Sequence, residues 1–236
     1  MTTSERTVSV PTPDGPMTTH LIGAEDDPPV IVLMAAPGVT DGLLSVAREV
    51  AGHSYRAVVP DLYHHFGEGI VFEGSDPRMR ETMARLSDAM VVEDVRAVLD
   101  RLGGGPAGVV GFCMGGRFVV RAMAAFPDRL IAGSALHPTR LRQDGDDSPH
   151  LGIPRITGRL YVGFGEQDPV VPPDQWDAVR EVAPQAPGEI RIEVHPGADH
   201  GFALPGPRFH PEAAAASWAA TYELWGDALR QAGTPA

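Results

Sequence analysis

The sequence predicts an α/β fold, with a mostly parallel central sheet and helices on both faces. Two observations carry this. Short apolar, β-branched runs such as PVIVLM (29–34) and RLYVGFG (159–165) are bounded by proline, glycine or polar residues, the pattern of strands buried on both faces. Between such runs lie longer segments with helical periodicity, so strand and helix alternate along the chain. A length of 236 residues suits one domain of the larger α/β kind, spanning 1–236.

The elements follow in order. RTVSVPT and MTTHLIG are two short extended segments, joined by TPDGP, a turn by composition. PVIVLM is the first fully buried strand. Residues 42–52 read as a helix, with Leu43, Val46, Ala47 and Val50 on one side. YRAVVP (55–60) is a strand ended by proline. The stretch DLYHHFGEGIVFEG is irregular. Helical periodicity then runs through 76–102, with Met83, Leu86, Met90, Val91, Val95 and Leu99 along one face. A glycine-rich turn leads into the strand GVVGF, and 115–126 is an apolar helix. RLIAGSALH is a strand and DGDDSPHLGIP a polar loop. RLYVGFG is a strand, DQWDAVREV a helix, EIRIEVHP a strand, and 211–231 a long final helix.

Composition narrows the function classes. Hydrophobic residues make up 43% of the chain, enough for a core. The net charge of -12 argues against nucleic acid and anionic membrane surfaces as partners. The first twenty residues have no cationic start and no apolar centre, so no signal peptide is expected and a cytoplasmic location is. No apolar run is long enough to span a bilayer. The single cysteine, Cys113, excludes a disulfide within the chain and a multi-cysteine metal site. There is no lysine, which removes a phosphate-loop lysine, a Schiff base and a Ser–Lys dyad. There is no asparagine either, so a group orienting a catalytic histidine is Asp, Glu or Gln. The expected partner is a small molecule, and the expected state a monomer or small homo-oligomer.

In sheets of this kind, sites form at the carboxyl ends of the strands. Gly111-Phe112-Cys113-Met114-Gly115 is G-x-C-x-G between a strand and a helix, the form of a nucleophile elbow with cysteine in the serine place. The turn is tight enough that side chains two before and two after the nucleophile would clash. The following helix N-terminus favours a thiolate. Asp168 follows the strand RLYVGFG, and His200 follows the last strand, EIRIEVHP. Nucleophile, acid and histidine in that chain order, each past a strand end, form a candidate triad Cys113–Asp168–His200. A developing oxyanion needs two donors: the backbone N–H of Met114, and one from the loop after PVIVLM, for which Ala36 is the candidate. No cofactor is required.

The stretches PVIVLMAAPGV, VVPDLY, VVGFCMGG, GEQDPVVPP and GADHGFA resemble the dienelactone hydrolase family of the α/β-hydrolase fold. The resemblance runs from about Pro29 onward. It implies hydrolysis of an ester or lactone through a thioester acyl-enzyme. Family members place a glutamate beside the cysteine, where this chain has Ala35, and an arginine four residues after the histidine, where it has Leu204. The resemblance therefore implies a substrate more neutral than dienelactone. It also raises an alternative, a non-catalytic small-molecule-binding protein on the same fold. A redox-sensing thiol is a third reading, with no resolving cysteine in its support. Candidate substrate-binding residues are Tyr63, Arg78, Arg80, His137, Arg140 and Phe202. No metal is expected: His64 and His65 are adjacent, adjacent histidines usually point apart, and no third ligand has motif spacing. Met83, Met90 and Met123 are expected in the core.

Overall fold

The computed structural model describes residues 4–74 and 76–232. Strands β1 (Glu5–Thr12) and β2 (Gly15–Ile22) form an antiparallel hairpin, closed by the turn expected at TPDGP. Then follow β3 (Pro29–Leu33), α1 (Asp41–Gly52), β4 (Arg56–Pro60), α2 (Pro77–Arg85), α3 (Asp88–Leu102), β5 (Ala107–Phe112) and α4 (Met114–Ala125). The chain continues through β6 (Leu130–Leu136), a 3-10 helix (Pro149–Arg155), β7 (Arg159–Gly165), α5 (Pro173–Val182), β8 (Ile190–His195) and α6 (Pro211–Ala232).

The eight strands form one sheet in the order β1-β2-β4-β3-β5-β6-β7-β8. β2 pairs antiparallel with β1 and β4, and every other pairing is parallel. The strand order reverses at β3: its successor β4 lies on one side and β5 on the other. The carboxyl ends of β3 and β5 therefore flank a topological switch point, where α/β sheets bind ligands.

The buried strands explain themselves. Val30 to Leu33 have no exposed surface, and neither do Val109 and Val110 of β5. Fully burying a Val or Leu side chain contributes roughly 1.5–3 kcal/mol, so the parallel core dominates the stability. α1 buries Leu43, Val46, Ala47 and Val50, the face its periodicity predicts, and Thr40 caps it by accepting from the Leu43 N–H at 3.2 Å. α1 and α6 share one face of the sheet: His53, at the end of α1, stacks on Tyr222 of α6 with ring centroids 4.0 Å apart. α3 and α4 pack against each other on the opposite face. Met123 is fully buried there, and Met83 and Met90 pack against the core. Among the described residues, no helix is long and apolar enough to cross a membrane.

Two stretches differ from expectation. The periodic segment 76–102 is two helices, because Leu86 is extended (φ -79°, ψ 106°) and Ser87 starts α3 afresh. The Ser87 hydroxyl accepts from the Met90 N–H at 3.2 Å, and Asp88 adds an acidic first turn. The expected polar loop DGDDSPHLGIP contains the 3-10 helix. Ile153 is fully buried there, and the His150 N–H bonds the Leu141 carbonyl at 2.9 Å.

The helix break sets the sign of one substitution. Ser87→Ala removes a cap and lowers stability by about 1 kcal/mol, read as a lower urea midpoint at unchanged slope. A continuous helix would instead gain stability from alanine.

Candidate active site

Cys113 stands between β5 and α4 with φ 57° and ψ -116°, a left-handed conformation that a non-glycine residue adopts at a cost of about 1–3 kcal/mol. The surrounding backbone holds it there. Its N–H bonds the Leu136 carbonyl at 3.1 Å, and its carbonyl accepts from the N–H groups of Gly116 and Thr139, each at 3.1 Å. The flanking glycines are steric requirements. A Cβ on Gly111 would lie 2.2 Å from the Gly115 carbonyl oxygen, and one on Gly115 would lie 2.4 Å from that of Leu33. The strand–turn–helix context predicted for G-x-C-x-G is thus present, with the thiol half-buried at the switch point.

Asp168 and His200 come to the same place from β7 and β8. His200 Nδ1 lies 2.7 Å from Asp168 Oδ2, with the Asp168 side chain wholly buried. The other carboxylate oxygen accepts from the N–H groups of Val170 and Val171, at 2.8 and 3.2 Å, which fixes its direction. Burial pushes the His200 imidazole down, but its bonds to Asp168 and Cys113 outweigh this and push it up to about 10. For Cys113 the balance runs the other way. Burial raises the thiol, while the His200 imidazole, the Met114 N–H and the Thr139 hydroxyl lower it, and the net is below its ordinary value. A histidine shifted toward its cation beside a thiol shifted toward its anion is an arrangement that favours a thiolate–imidazolium pair. Ala35, buried at the start of the loop after β3, offers the thiol no carboxylate.

The Met114 N–H is the first of α4, where it has no acceptor within the helix. Ala36 is held from its carbonyl side: the Tyr63 hydroxyl donates to the Ala36 oxygen at 2.7 Å. This corrects the expectation for Tyr63. It is fully buried with its hydroxyl engaged, so it braces the loop after β3 instead of lining an open pocket. Burial, with the charges of Cys113 and Asp61, also raises its phenol, which stays a donor.

The other expected substrate-binding residues divide. Arg78 is corrected as well: its side chain is 76% exposed and paired with Asp76 at the start of α2. Arg80 is exposed on the same helix. Arg140 is exposed after β6 and bonds Gln143 at 3.1 Å. His137 is buried, with its ring edge-on to His200 at 5.0 Å and to Phe202 at 5.5 Å. Burial and the His200 charge hold it well below the ordinary histidine value, so it is neutral. Phe202 is fully buried and packs on His137 and His195. Thr139 is not among the residues that the sequence singles out, although it lies between two that are, His137 and Arg140. Its position just past the carboxyl end of β6 is the signal that would have found it.

A further expectation fails outright. His64 and His65 do not point apart. Their ring centroids are 3.9 Å apart and both bond Asp94 of α3, at 3.0 and 2.9 Å. The segment after β4 is folded tightly around the Asp61 carboxylate, which accepts from the N–H groups of Tyr63 and Gly69, and this turns both rings to one side.

Residues 17–229 match the family model described as the dienelactone hydrolase family. The chain is 28% identical over 214 residues to a carboxymethylenebutenolidase of Rhodococcus opacus, covering 83% of this chain and 79% of that protein. It is 28% identical over 206 residues to a putative carboxymethylenebutenolidase of Escherichia coli K12, covering 81% and 73%. A solved putative dienelactone hydrolase from Klebsiella pneumoniae shares the fold, with a TM-score of 0.85 at 23% identity, over 96% of this chain and 99% of that one.

The coupled pair dictates a pH profile. As pH falls, the thiolate protonates below its ordinary range; as pH rises, the imidazolium loses its proton near 10, so the ion pair occupies the window between. Alkylation of Cys113 by iodoacetamide therefore has its acid inflection below the usual thiol value of about 8.5. His200→Ala moves that inflection upward. An inflection at or above 8.5 in the unaltered protein would contradict the ion pair.

Proposed function

The chain belongs to the dienelactone hydrolase family, and we propose that it cleaves a small, neutral ester or lactone through a thioester on Cys113. The observation carrying this reading is the Cys113–His200–Asp168 constellation at the switch point of the sheet. His200 is bonded to Asp168 through Nδ1, which leaves Nε2 for the thiol and the leaving group.

The Cys113 thiolate attacks the carbonyl carbon and forms a C–S bond. The carbonyl oxygen becomes an oxyanion, taken up by the N–H groups of Met114 and Ala36. Collapse breaks the C–O bond, and the departing alkoxide takes the Nε2 proton of His200. Water then attacks the thioester as His200 accepts its proton. Collapse of the second intermediate restores the thiolate and releases the acid. Asp168 holds the imidazole tautomer and stabilises its cation.

The Rhodococcus relative is named for a lactone that bears a carboxylate. Here Leu204 stands where the resemblance would place an arginine, Arg78 faces solvent, and buried His137 is neutral. Those substitutions support a substrate without a carboxylate.

An activated aryl acetate is the first substrate to try. Cys113→Ala lowers kcat/KM by at least about 10³-fold, and Asp168→Asn lowers kcat by about 10²–10⁴-fold. Undiminished turnover by Cys113→Ala would overturn the proposal. Tyr63→Phe frees the Ala36 carbonyl and lowers kcat about 10-fold with KM little changed, the split expected of a group that acts on the transition state.

A further inference from the structure

We propose that His64, His65 and Asp94 form a binding site for a divalent transition-metal ion of the zinc type. The two imidazoles come from the segment after β4 and the carboxylate from α3, and one ligand atom from each lies within 4.8 Å of the others. All three side chains are at most 4% exposed. Two imidazoles and a carboxylate are a common zinc ligand set, with bonds of about 2.0–2.2 Å. His64 Nε2 lies 3.0 Å from Asp94 Oδ1 and His65 Nε2 2.9 Å from Oδ2, so an ion held by one carboxylate oxygen requires the Asp94 carboxylate to turn and these contacts to open by about 0.4 Å.

The hydrogen-bonding balance points the same way. If His65 gives its Nε2 proton to Asp94, the lone pair of a neutral ring lies on Nδ1. That atom faces a second carboxylate, Asp14 Oδ2, at 3.4 Å. An acceptor would then face an acceptor. With a metal ion on Nε2, the proton sits on Nδ1 and points at Asp14. A metal-bound histidine oriented by a carboxylate on its other nitrogen is the usual arrangement of such sites. Among the described residues, the ion-pair partners of buried Asp94 are these two histidines, with no guanidinium beside them.

A route in exists. His64 borders a groove of about 340 Å³ that also carries Asp14, Asp61 and Glu68, three carboxylates that attract a cation. The ion would tie α3 to the segment holding Tyr63, and through the Tyr63 hydroxyl to the Ala36 carbonyl.

Zinc and cobalt(II) titrated into the full chain, without a histidine tag, test this by calorimetry and by metal content after gel filtration. The expected result is one ion per chain. It persists in Cys113→Ala, which separates this site from metal captured by the catalytic thiol. Asp94→Asn and His64→Gln lower retained metal at least about 10-fold. Asp14→Asn, on an exposed side chain that perturbs folding little, weakens affinity about 10-fold. If the buried variants do not fold, the Asp14→Asn effect and the cobalt spectrum decide. Nitrogen and oxygen ligation gives d–d bands without a sulfur charge-transfer band. Sub-stoichiometric binding, binding lost in Cys113→Ala, or affinity unchanged in Asp14→Asn would overturn the assignment.

Discussion

The chemistry of the site depends on the His200 imidazole, held through Nδ1 by a carboxylate that is itself fixed by two backbone N–H groups. Burial alone would neutralise the ring and raise the thiol. The bonds to Asp168 and Cys113 reverse the first effect, and the imidazole, with the Met114 N–H and the Thr139 hydroxyl, reverses the second. The position held by Ala35 can therefore lack a carboxylate without leaving the thiol inert. The charge that lowers it comes from across the crevice, not from the loop beside it.

That pairing needs three chain segments to arrive together, and the sheet brings them. β5, β7 and β8 run parallel, so their carboxyl ends share one edge. The Cys113 elbow is forced by contacts that exclude any side chain at Gly111 and Gly115. The loop after β3 reaches the same edge because β3 runs parallel to its neighbour β5. Tyr63 then ties that loop to the segment after β4. Backbone strain at Cys113 is thus carried by a deeply buried part of the molecule.

Most of the fold was legible because buried parallel strands are continuous apolar runs, and β3, β5 and β7 fall within or close to the runs that predict them. The break at Leu86 was not, since no Gly or Pro marks it. Only the Ser87-Asp88 pair signals a new helix, and it is polar on a face that periodicity ignores. In the candidate site, Cys113, Asp168 and His200 were legible as a set because each lies within five residues of the carboxyl end of its strand. Tyr63, Thr139 and the His64–His65–Asp94 cluster depend on how irregular segments fold back. No period describes such segments, and Asp94 is 29 residues from His65 in sequence.

The proposed reaction puts the acyl group on Cys113. Mass spectrometry of the protein, acid-quenched while turning over an aryl acetate, tests it most directly. The expected result is one acetyl group on the peptide containing Cys113, formed and lost at least as fast as turnover. Steady turnover with no adduct, or an adduct on another residue at that rate, would contradict it.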